Sequence, residues 1–257
     1  MNNINAIKFL SEGTSTISLI KKSDFLTDYN VSLEYSYNGI DWIVWNLSAL
    51  RINSGDTLYI RGNNPSSFSC WNEDTEAYFT FVIEGDKVSC SGNIMSLIDY
   101  ENLPDIIPCD YCFYKLFSEC TALTTAPELP AKTLTESCYE SMFSGCSSLT
   151  SAPELPATEL ADSCYCRMFS CCSSLTIAPK LPATKLADWC YSGMFFGCTA
   201  LTTAPELPAK RLVDFCYRSM FSECTALIAK PELPATELAN GCYYRMFKGC
   251  TLLKDEQ

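Results

Sequence analysis

Apolar residues in the second half of the chain return at a fixed interval of 26 positions, and no insertion breaks the register. Two columns of cysteine, eight positions apart, are accompanied by columns of Met, Phe and Leu. The first cysteine column contains Cys112, Cys138, Cys164, Cys190, Cys216 and Cys242, and the second contains Cys120, Cys146, Cys172, Cys198, Cys224 and Cys250. A period of this size is typical of a solenoid, in which each unit buries its apolar face against the next.

Within one unit, the apolar spacing predicts a helix and a short strand. Cys164, Met168 and Cys172 lie four positions apart, which is typical of the apolar stripe of a helix. The segment 175–178 is too short for a helix and is followed by a proline, so it predicts a strand. Stacked units of this kind would place a parallel sheet on the inner face and helices on the outer face. The predicted fold class is therefore an α/β solenoid with one strand and one helix per repeat.

Residues 1–93 show a different pattern, in which short β-rich runs are separated by turn residues. The run 32–45 alternates around Asn38-Gly39, a strong signal for a hairpin. Further β-rich runs occupy 57–60, 78–83 and 87–90. Several short strands with turns between them predict a small all-β sandwich. We expect one edge or end of this sandwich to cover the first coil of the solenoid.

The two patterns divide the chain into a β-sandwich-like domain over 1–93 and a repeat region over 94–257. Residues 94–111 form a degenerate half-repeat, because Leu97 and Pro104 stand one period before Leu123 and Pro130. The following repeats start at residues 112, 138, 164, 190, 216 and 242.

The repeat resembles a known family. The order C-Y-x-x-M-F-x-x-C-x-x-L-T-x-A-P-x-L-P is similar to the BspA-like leucine-rich repeats of bacterial surface proteins. The characteristic places are taken here by Phe169, Cys172, Leu175 and the pair Leu181-Pro182. The resemblance covers about residues 94–257 and implies a leucine-rich-repeat fold with a role in adhesion, or in binding proteins or surface sugars. A repeat motif describes packing rather than a site.

The charge of the chain narrows the choice of partners. A net charge of −12 repels phosphate backbones and anionic lipids, so nucleic acid and membrane surfaces are poor partners. The sequence has no run of about 18 apolar residues that would span a membrane, and its start does not resemble a secretory signal. Its location stays open, and the resemblance implies a cell surface or a virion surface.

The sequence contains few residues that could form a catalytic site or a metal site. The chain has no histidine, which removes the commonest general base and the Ser-His and Cys-His nucleophiles. The recurring column of Glu128, Glu154, Glu206 and Glu232 predicts a solvated edge. Cys109 and Cys112 form a C-x-x-C, but zinc needs about four ligands and Cys112 already belongs to a repeat column. We therefore predict no enzyme, no cofactor and no metal site.

The cysteines are expected to be free thiols. Eight positions along a helix separate Cys164 from Cys172 by roughly 12 Å, which is beyond the reach of a disulfide. A small buried hydrophobe is the better interpretation of the columns. In the β domain, Cys70 and Cys90 remain candidates for a disulfide, and their redox state stays open.

Positions that point away from the apolar stripe differ most between repeats and indicate a contact surface. The hypothetical contact patch contains Trp189, Phe196, Phe215, Arg218 and Tyr244, because aromatic side chains and arginine dominate binding hot spots. The alternative is that these side chains pack against neighbouring helices. In the β domain, Trp42, Trp45 and Trp71 are candidates for a sugar-stacking platform, although core packing is favoured for them.

Together these patterns favour a non-catalytic adhesion or interaction module that binds a protein or a surface glycan through its repeats. The alternative is a structural spacer or virion component that self-associates through an uncapped C-terminal end.

Overall fold

The structure is a computed structural model of the chain and describes residues 4–23, 30–72 and 75–253. The strands are β1 (Ile7–Ser11), β2 (Ser15–Ser23), β3 (Leu33–Ser36), β4 (Ile43–Val44), β5 (Leu50–Ile52), β6 (Thr57–Gly62), β7 (Cys70–Asn72), β8 (Thr75–Gly85), β9 (Val88–Ser91) and β10 (Leu123–Thr125). One sheet has the order β10-β9-β1-β6-β3-β4, and the other has the order β5-β2-β8-β7.

The N-terminal strands bury alternate side chains, as a half-buried sheet requires. In β6, Leu58 and Ile60 are fully buried and the residues between them are partly exposed. The two sheets face each other, and the rings of Phe9 on β1 and Phe81 on β8 meet at 5.4 Å. The predicted hairpin around Asn38-Gly39 is confirmed, because β3 and β4 pair antiparallel on either side of it.

The predicted helix in each repeat is wrong. The described residues contain no α-helix, and their one helical element is a short 3₁₀ turn at Ile94–Leu97. The α/β leucine-rich-repeat solenoid is therefore overturned as a fold class. Each 26-residue unit, which we call a coil, instead carries a series of overlapping turns, which we call its turn ribbon. The turn ribbons occupy 111–120, 137–146, 163–172, 189–198, 215–224 and 241–250.

Hydrogen bonds distinguish the turn ribbon from a helix. In the coil that contains Tyr165, the Tyr165 amide donates to the Cys190 carbonyl of the next coil at 3.0 Å, whereas the Met168 amide donates to Tyr165, three residues back, at 3.3 Å. This alternation continues along the ribbon and leaves no bonds to the fourth residue back, which an α-helix requires. Every fourth residue also has a positive φ, for example 53° at Ser163 and 52° at Arg167.

The four-residue spacing of the apolar columns is the period of this ribbon. Met168 and Phe169 point inward and are fully buried, while Arg167 points outward and is exposed. Identical inward side chains of successive coils stack directly. Tyr139 and Tyr165 are 5.9 Å apart at an interplanar angle of 2°, and the phenylalanine column stacks in the same way. The core is thus a set of ladders that run along the stack.

The second cysteine column has a specific role in these ladders. The thiol of Cys172 donates to the backbone carbonyl of Phe143 in the preceding coil at 3.1 Å, and Cys198 contacts Phe169 in the same way. A small apolar side chain with a weak donor fits this place, because the carbonyl would otherwise lack a second partner.

The predicted short strand is reduced to a single bridge in most coils. Ile177 forms isolated parallel bridges with Ser151 and Thr203, and β10 is the one repeat segment among those described that is long enough to be a strand. Proline follows each of these segments, and it cannot donate to a ladder.

The N-terminal sheets close the first coil. The Phe81 amide on β8 donates to the Leu116 carbonyl at 2.7 Å, and the Cys120 thiol donates back to the Phe81 carbonyl at 3.1 Å. Next to them, β9 and β10 pair in parallel. These strands satisfy backbone groups that a preceding coil would otherwise satisfy.

Candidate binding groove

A groove of about 1080 Å³ lies between the β2–β8 face of the N-terminal sheets and the outward side of the turn ribbons. Its charged lining residues are Lys22, Lys115, Glu119, Glu140, Arg167 and Arg218, and its aromatic lining residues include Tyr78, Trp189 and Phe196. We call this cavity the binding groove. Its volume is slightly above the range of about 300–1000 Å³ that is usual for ligand sites.

The geometry of the turn ribbon decides which side chains reach the groove. Two of every four residues point outward, so equivalent outward residues of successive coils form columns on the surface. One column contains Lys115, Ser141, Arg167, Gly193 and Ser219, and another contains Ser118, Ser144, Ser170 and Phe196. Charged and aromatic side chains therefore stand beside small ones.

Four of the five residues in the hypothetical contact patch meet one another, and two of them, Trp189 and Arg218, line the groove. The rings of Trp189 and Phe215 stack at 4.3 Å. The Arg218 guanidinium lies 5.1 Å from the Trp189 ring, 5.7 Å from the Phe215 ring and 5.5 Å from the Tyr244 ring. Gly241 makes room for this arrangement, because a Cβ at that position would lie 2.4 Å from the Phe215 ring. We call Trp189, Phe215, Arg218 and Tyr244 the aromatic box.

The fifth residue, Phe196, lines the groove together with Trp189 and Arg218. It is 38% exposed, and Tyr244 is 47% exposed. The alternative of packing between neighbouring helices does not apply, because the described residues form no helix there. These side chains instead pack on one another at an open surface.

The groove is locally cationic in an acidic protein. Lys22, Lys115, Arg167 and Arg218 face Glu119 and Glu140 in the lining, so cations exceed carboxylates by two, whereas the whole chain has a net charge of −12. Within the described parts of the chain, none of the four cations forms an ion pair with a carboxylate.

Glu140 is the lining carboxylate whose ionisation the fold perturbs. It accepts a hydrogen bond from the Ser137 hydroxyl at 2.8 Å. Burial raises its pKa, although the charges of Arg167 and Lys115 oppose that shift. The Glu140 carboxyl therefore lies close enough to Arg167 and Lys115 for their charges to act on it.

The backbone of the groove floor is already hydrogen-bonded. The Arg167 amide donates to the Ser192 carbonyl at 2.8 Å, and the Gly193 amide donates to the Arg218 carbonyl at 2.7 Å. The Ser192 hydroxyl also donates to the Arg218 carbonyl, at 3.4 Å. A ligand in this part of the groove therefore meets side chains rather than free backbone groups.

The tryptophan platform suggested for the β domain is not formed by the described side chains. Trp45 is 3% exposed and packs in the core, where its indole N–H donates to the Ser48 carbonyl at 2.9 Å. The Arg61 guanidinium covers one face of Trp42 at 3.8 Å. The side chain of Trp71 lies outside the described part of the structure. Core packing is thus confirmed for Trp45.

The described cysteines are free thiols, and the column cysteines are buried apart from Cys250, which is half-buried. Cys90 is free and buried, so it forms no disulfide with Cys70, whose own side chain lies outside the described part. The Cys109–Cys112 pair belongs to no group of three or more metal-binding side chains among the residues that the structure describes. A hydrogen bond with the Cys112 thiol lowers the pKa of Cys109, whereas burial raises that of Cys112.

The structure also tests the predicted exposure of the glutamate column. The glutamate column at Glu128, Glu154, Glu206 and Glu232 is exposed, which confirms a solvated edge.

The sequence pattern did not predict that Lys115, Arg167 and Glu140 line the groove. The signal that could have identified these residues is the four-residue spacing of outward positions in the turn ribbon. A helix would have placed the same residues on several of its faces.

A scan against models of protein families, a search of curated proteins and a search of solved structures found no significant match to this chain. In the described ranges, no helix has the length and hydropathy that crossing a membrane requires. The resemblance to BspA-like repeats therefore stays a prediction, and the groove has to be interpreted from its own residues.

Proposed function

We propose that this protein is a non-catalytic interaction module that binds a protein or a glycan of a cell surface in the binding groove. The aromatic box carries the proposal. An arginine held by three rings beside an open cavity is the kind of rigid, partly exposed anchor on which binding energy concentrates. The absence of histidine from the sequence favours binding over acid–base catalysis, because histidine is the commonest general base.

Paired variants on an array of cell-surface glycans and proteins test this proposal. Trp189→Ser combined with Phe215→Ser removes the stacked rings, and we expect the captured ligand to be lost while the protein stays folded. Ile177→Ser is the matched control, because Ile177 is 67% exposed and does not line the groove. Unchanged capture by the double variant would reject the groove as the site, and loss of soluble protein would assign the two rings a structural role.

The alternative function is a structural spacer or virion component that self-associates through its C-terminal end. In the last turn ribbon, the five amides that would donate to a following coil have no acceptor among the described residues. They belong to Gly241, Tyr243, Arg245, Phe247 and Gly249. Unpaired strand-like edges favour association, which supports this alternative.

The polarity of that end argues against simple pairing of two copies. A two-fold contact would set one row of donors against another, and the first coil of a second copy is already covered by β8 and β9. We therefore expect a monomer in size-exclusion chromatography with light scattering at high concentration. A mass that grows with concentration would favour the spacer.

A further inference from the structure

We infer that the binding groove takes an acidic oligosaccharide, with the acid group at Arg167 and a sugar ring against Trp189 and Phe196. The inference rests on the proposed function and adds the chemical class of the ligand. It follows from the side chains of Arg167 and Phe196, which meet over Gly193, and from Trp189 in the same groove lining.

Gly193 lets the Arg167 side chain cross the groove floor. A Cβ on Gly193 would lie 3.3 Å from the Cγ of Arg167 and 3.9 Å from the Cβ of Phe196. The Arg167 side chain of the preceding coil therefore packs over Gly193, which is itself buried. In the other direction along the stack, the Gly193 amide donates to the Arg218 carbonyl of the next coil. The side chains of Arg167 and Phe196 thus approach each other over Gly193.

Charge complementarity selects an anionic ligand. Arg167 is exposed and forms no ion pair with a described carboxylate, so its planar guanidinium is available for a bidentate contact with a carboxylate or a sulfate. The groove has an excess of only two cations, because Glu119 and Glu140 belong to the same lining. This excess suits a ligand that carries a few negative charges separated from one another. A polyphosphate concentrates more negative charge than this excess can balance, and the net charge of −12 would repel it more strongly than a ligand with fewer, separated charges.

The floor favours a sugar over an extended peptide. Peptides bound in extended form depend on backbone hydrogen bonds to an open edge, and the amides of Arg167 and Gly193 are already paired within the stack. The groove offers ring faces, serine hydroxyls and guanidinium groups. These groups suit a ligand with apolar ring faces, many hydroxyls and acid groups separated from one another by sugar rings.

Calorimetric titration of the full chain with defined probes tests the inference. The probes are a tetragalacturonate, its neutral methyl ester, a sulfated chondroitin tetrasaccharide and a poly-glutamate peptide. We expect binding of the tetragalacturonate or the sulfated tetrasaccharide, and the difference between them identifies the acid group. The methyl ester and the peptide should bind at least about tenfold more weakly, since a charge-assisted contact contributes about 1.5–3 kcal/mol.

Arg167→Gln should weaken binding of the acidic probe about tenfold or more. Arg211→Gln is the control, because Arg211 also belongs to a repeat and is exposed, with an ion pair to Glu237, but does not line the groove. Equal binding of the neutral ester, equal binding of the peptide, or an unchanged Arg167→Gln variant would overturn the inference.

The proposed function is judged separately. If a neutral glycan or a protein is captured and the Trp189→Ser, Phe215→Ser variant loses it, the acidic ligand is wrong and the interaction module stands. If neither these probes nor the array gives a ligand that depends on the groove, both fail.

Discussion

The ring of Phe81 stacks on the ring of Phe117 at a centroid distance of 4.9 Å and an interplanar angle of 15°. Phe117 in turn stacks on Phe143 at 5.5 Å, at the start of the phenylalanine ladder. Trp45 lies on the other side of Phe81 at 6.4 Å. A strand residue of the N-terminal sheets thus supplies the ring that a preceding coil would supply, and the ladder continues into the core of those sheets.

Replacing Phe81 tests whether the sheets and the stack form one folding unit. Phe81→Ala leaves a cavity between Trp45 and Phe117, and we expect a loss of about 3–5 kcal/mol in the free energy of unfolding. Because the ring belongs to both cores, urea unfolding should remain a single transition by fluorescence and by circular dichroism. Phe196→Ala, on the surface, should change stability by less than about 0.5 kcal/mol. Two separate transitions in Phe81→Ala would contradict a shared core.

Much of the repeat region could be predicted from the period alone. The fixed spacing of 26 placed Cys, Met, Phe and Leu in the interior, and these columns are buried. The helix was wrong because a spacing of four fits both an α-helical stripe and a turn ribbon. The glycines at Gly193 and Gly197, four residues apart, and at Gly241 and Gly249, eight residues apart, were the missed signal, since glycine at multiples of four residues favours a repeated positive φ.

The binding site was predictable only in part. The aromatic box was found because its columns vary between repeats. The groove itself was not, because its second wall comes from β2 and β8, and no sequence pattern shows how the two parts of the chain face each other. Arg167 was missed since its outward position depends on the ribbon.

Substitutions at Ser163 distinguish a turn ribbon from a helix by their sign. Ser163 has a φ of 53°, which is unfavourable for any residue except glycine. Ser163→Gly should therefore raise stability by about 0.5–1 kcal/mol, and Ser163→Ala should lower it. In a helix the order is reversed, because alanine stabilises a helix by about 1 kcal/mol relative to glycine. Thermal melts of the two variants decide the question, and a more stable alanine variant would restore the helix.

The rate at which each cysteine reacts with an alkylating reagent should depend on whether its thiol is exposed or buried. Cys171 is exposed and Cys109 is half-buried, and the Cys112 thiol lowers the pKa of Cys109. Cys146 and Cys164 are fully buried, and burial raises the pKa of both. Iodoacetamide at pH 8 should therefore modify Cys171 and Cys109 first, and the buried column thiols only in urea, because the thiolate is the reactive form.

Peptide mass spectrometry measures this order of modification, and Cys171→Ser should remove one early adduct without changing the rest. Modification of Cys146 at the rate of Cys171 in the folded protein would show that the columns do not form an interior.

The buried thiols also predict loss of stability at alkaline pH. Burial raises the pKa of Cys120 and of Cys138 to about 12, whereas an unfolded thiol titrates near its ordinary value of about 8.5. The unfolded state therefore loses its thiol protons first as pH rises. This contribution to stability is fully present below about pH 8.5 and is lost between that pH and the folded pKa, at up to about 1.4 kcal/mol per pH unit for each thiol.

Urea midpoints of the reduced protein should accordingly be constant from pH 7 to 8 and fall steeply from pH 9 to 10.5. Cys138→Ala removes one titrating group, so its stability should fall less steeply over the same range even though it starts lower. Ser173→Ala should keep the slope of the parent protein, because Ser173 is exposed and carries no titrating group. A midpoint that stays flat to pH 10.5 would mean that the column thiols ionise as easily in the folded chain as in the unfolded one, which is incompatible with their burial between the stacked rings.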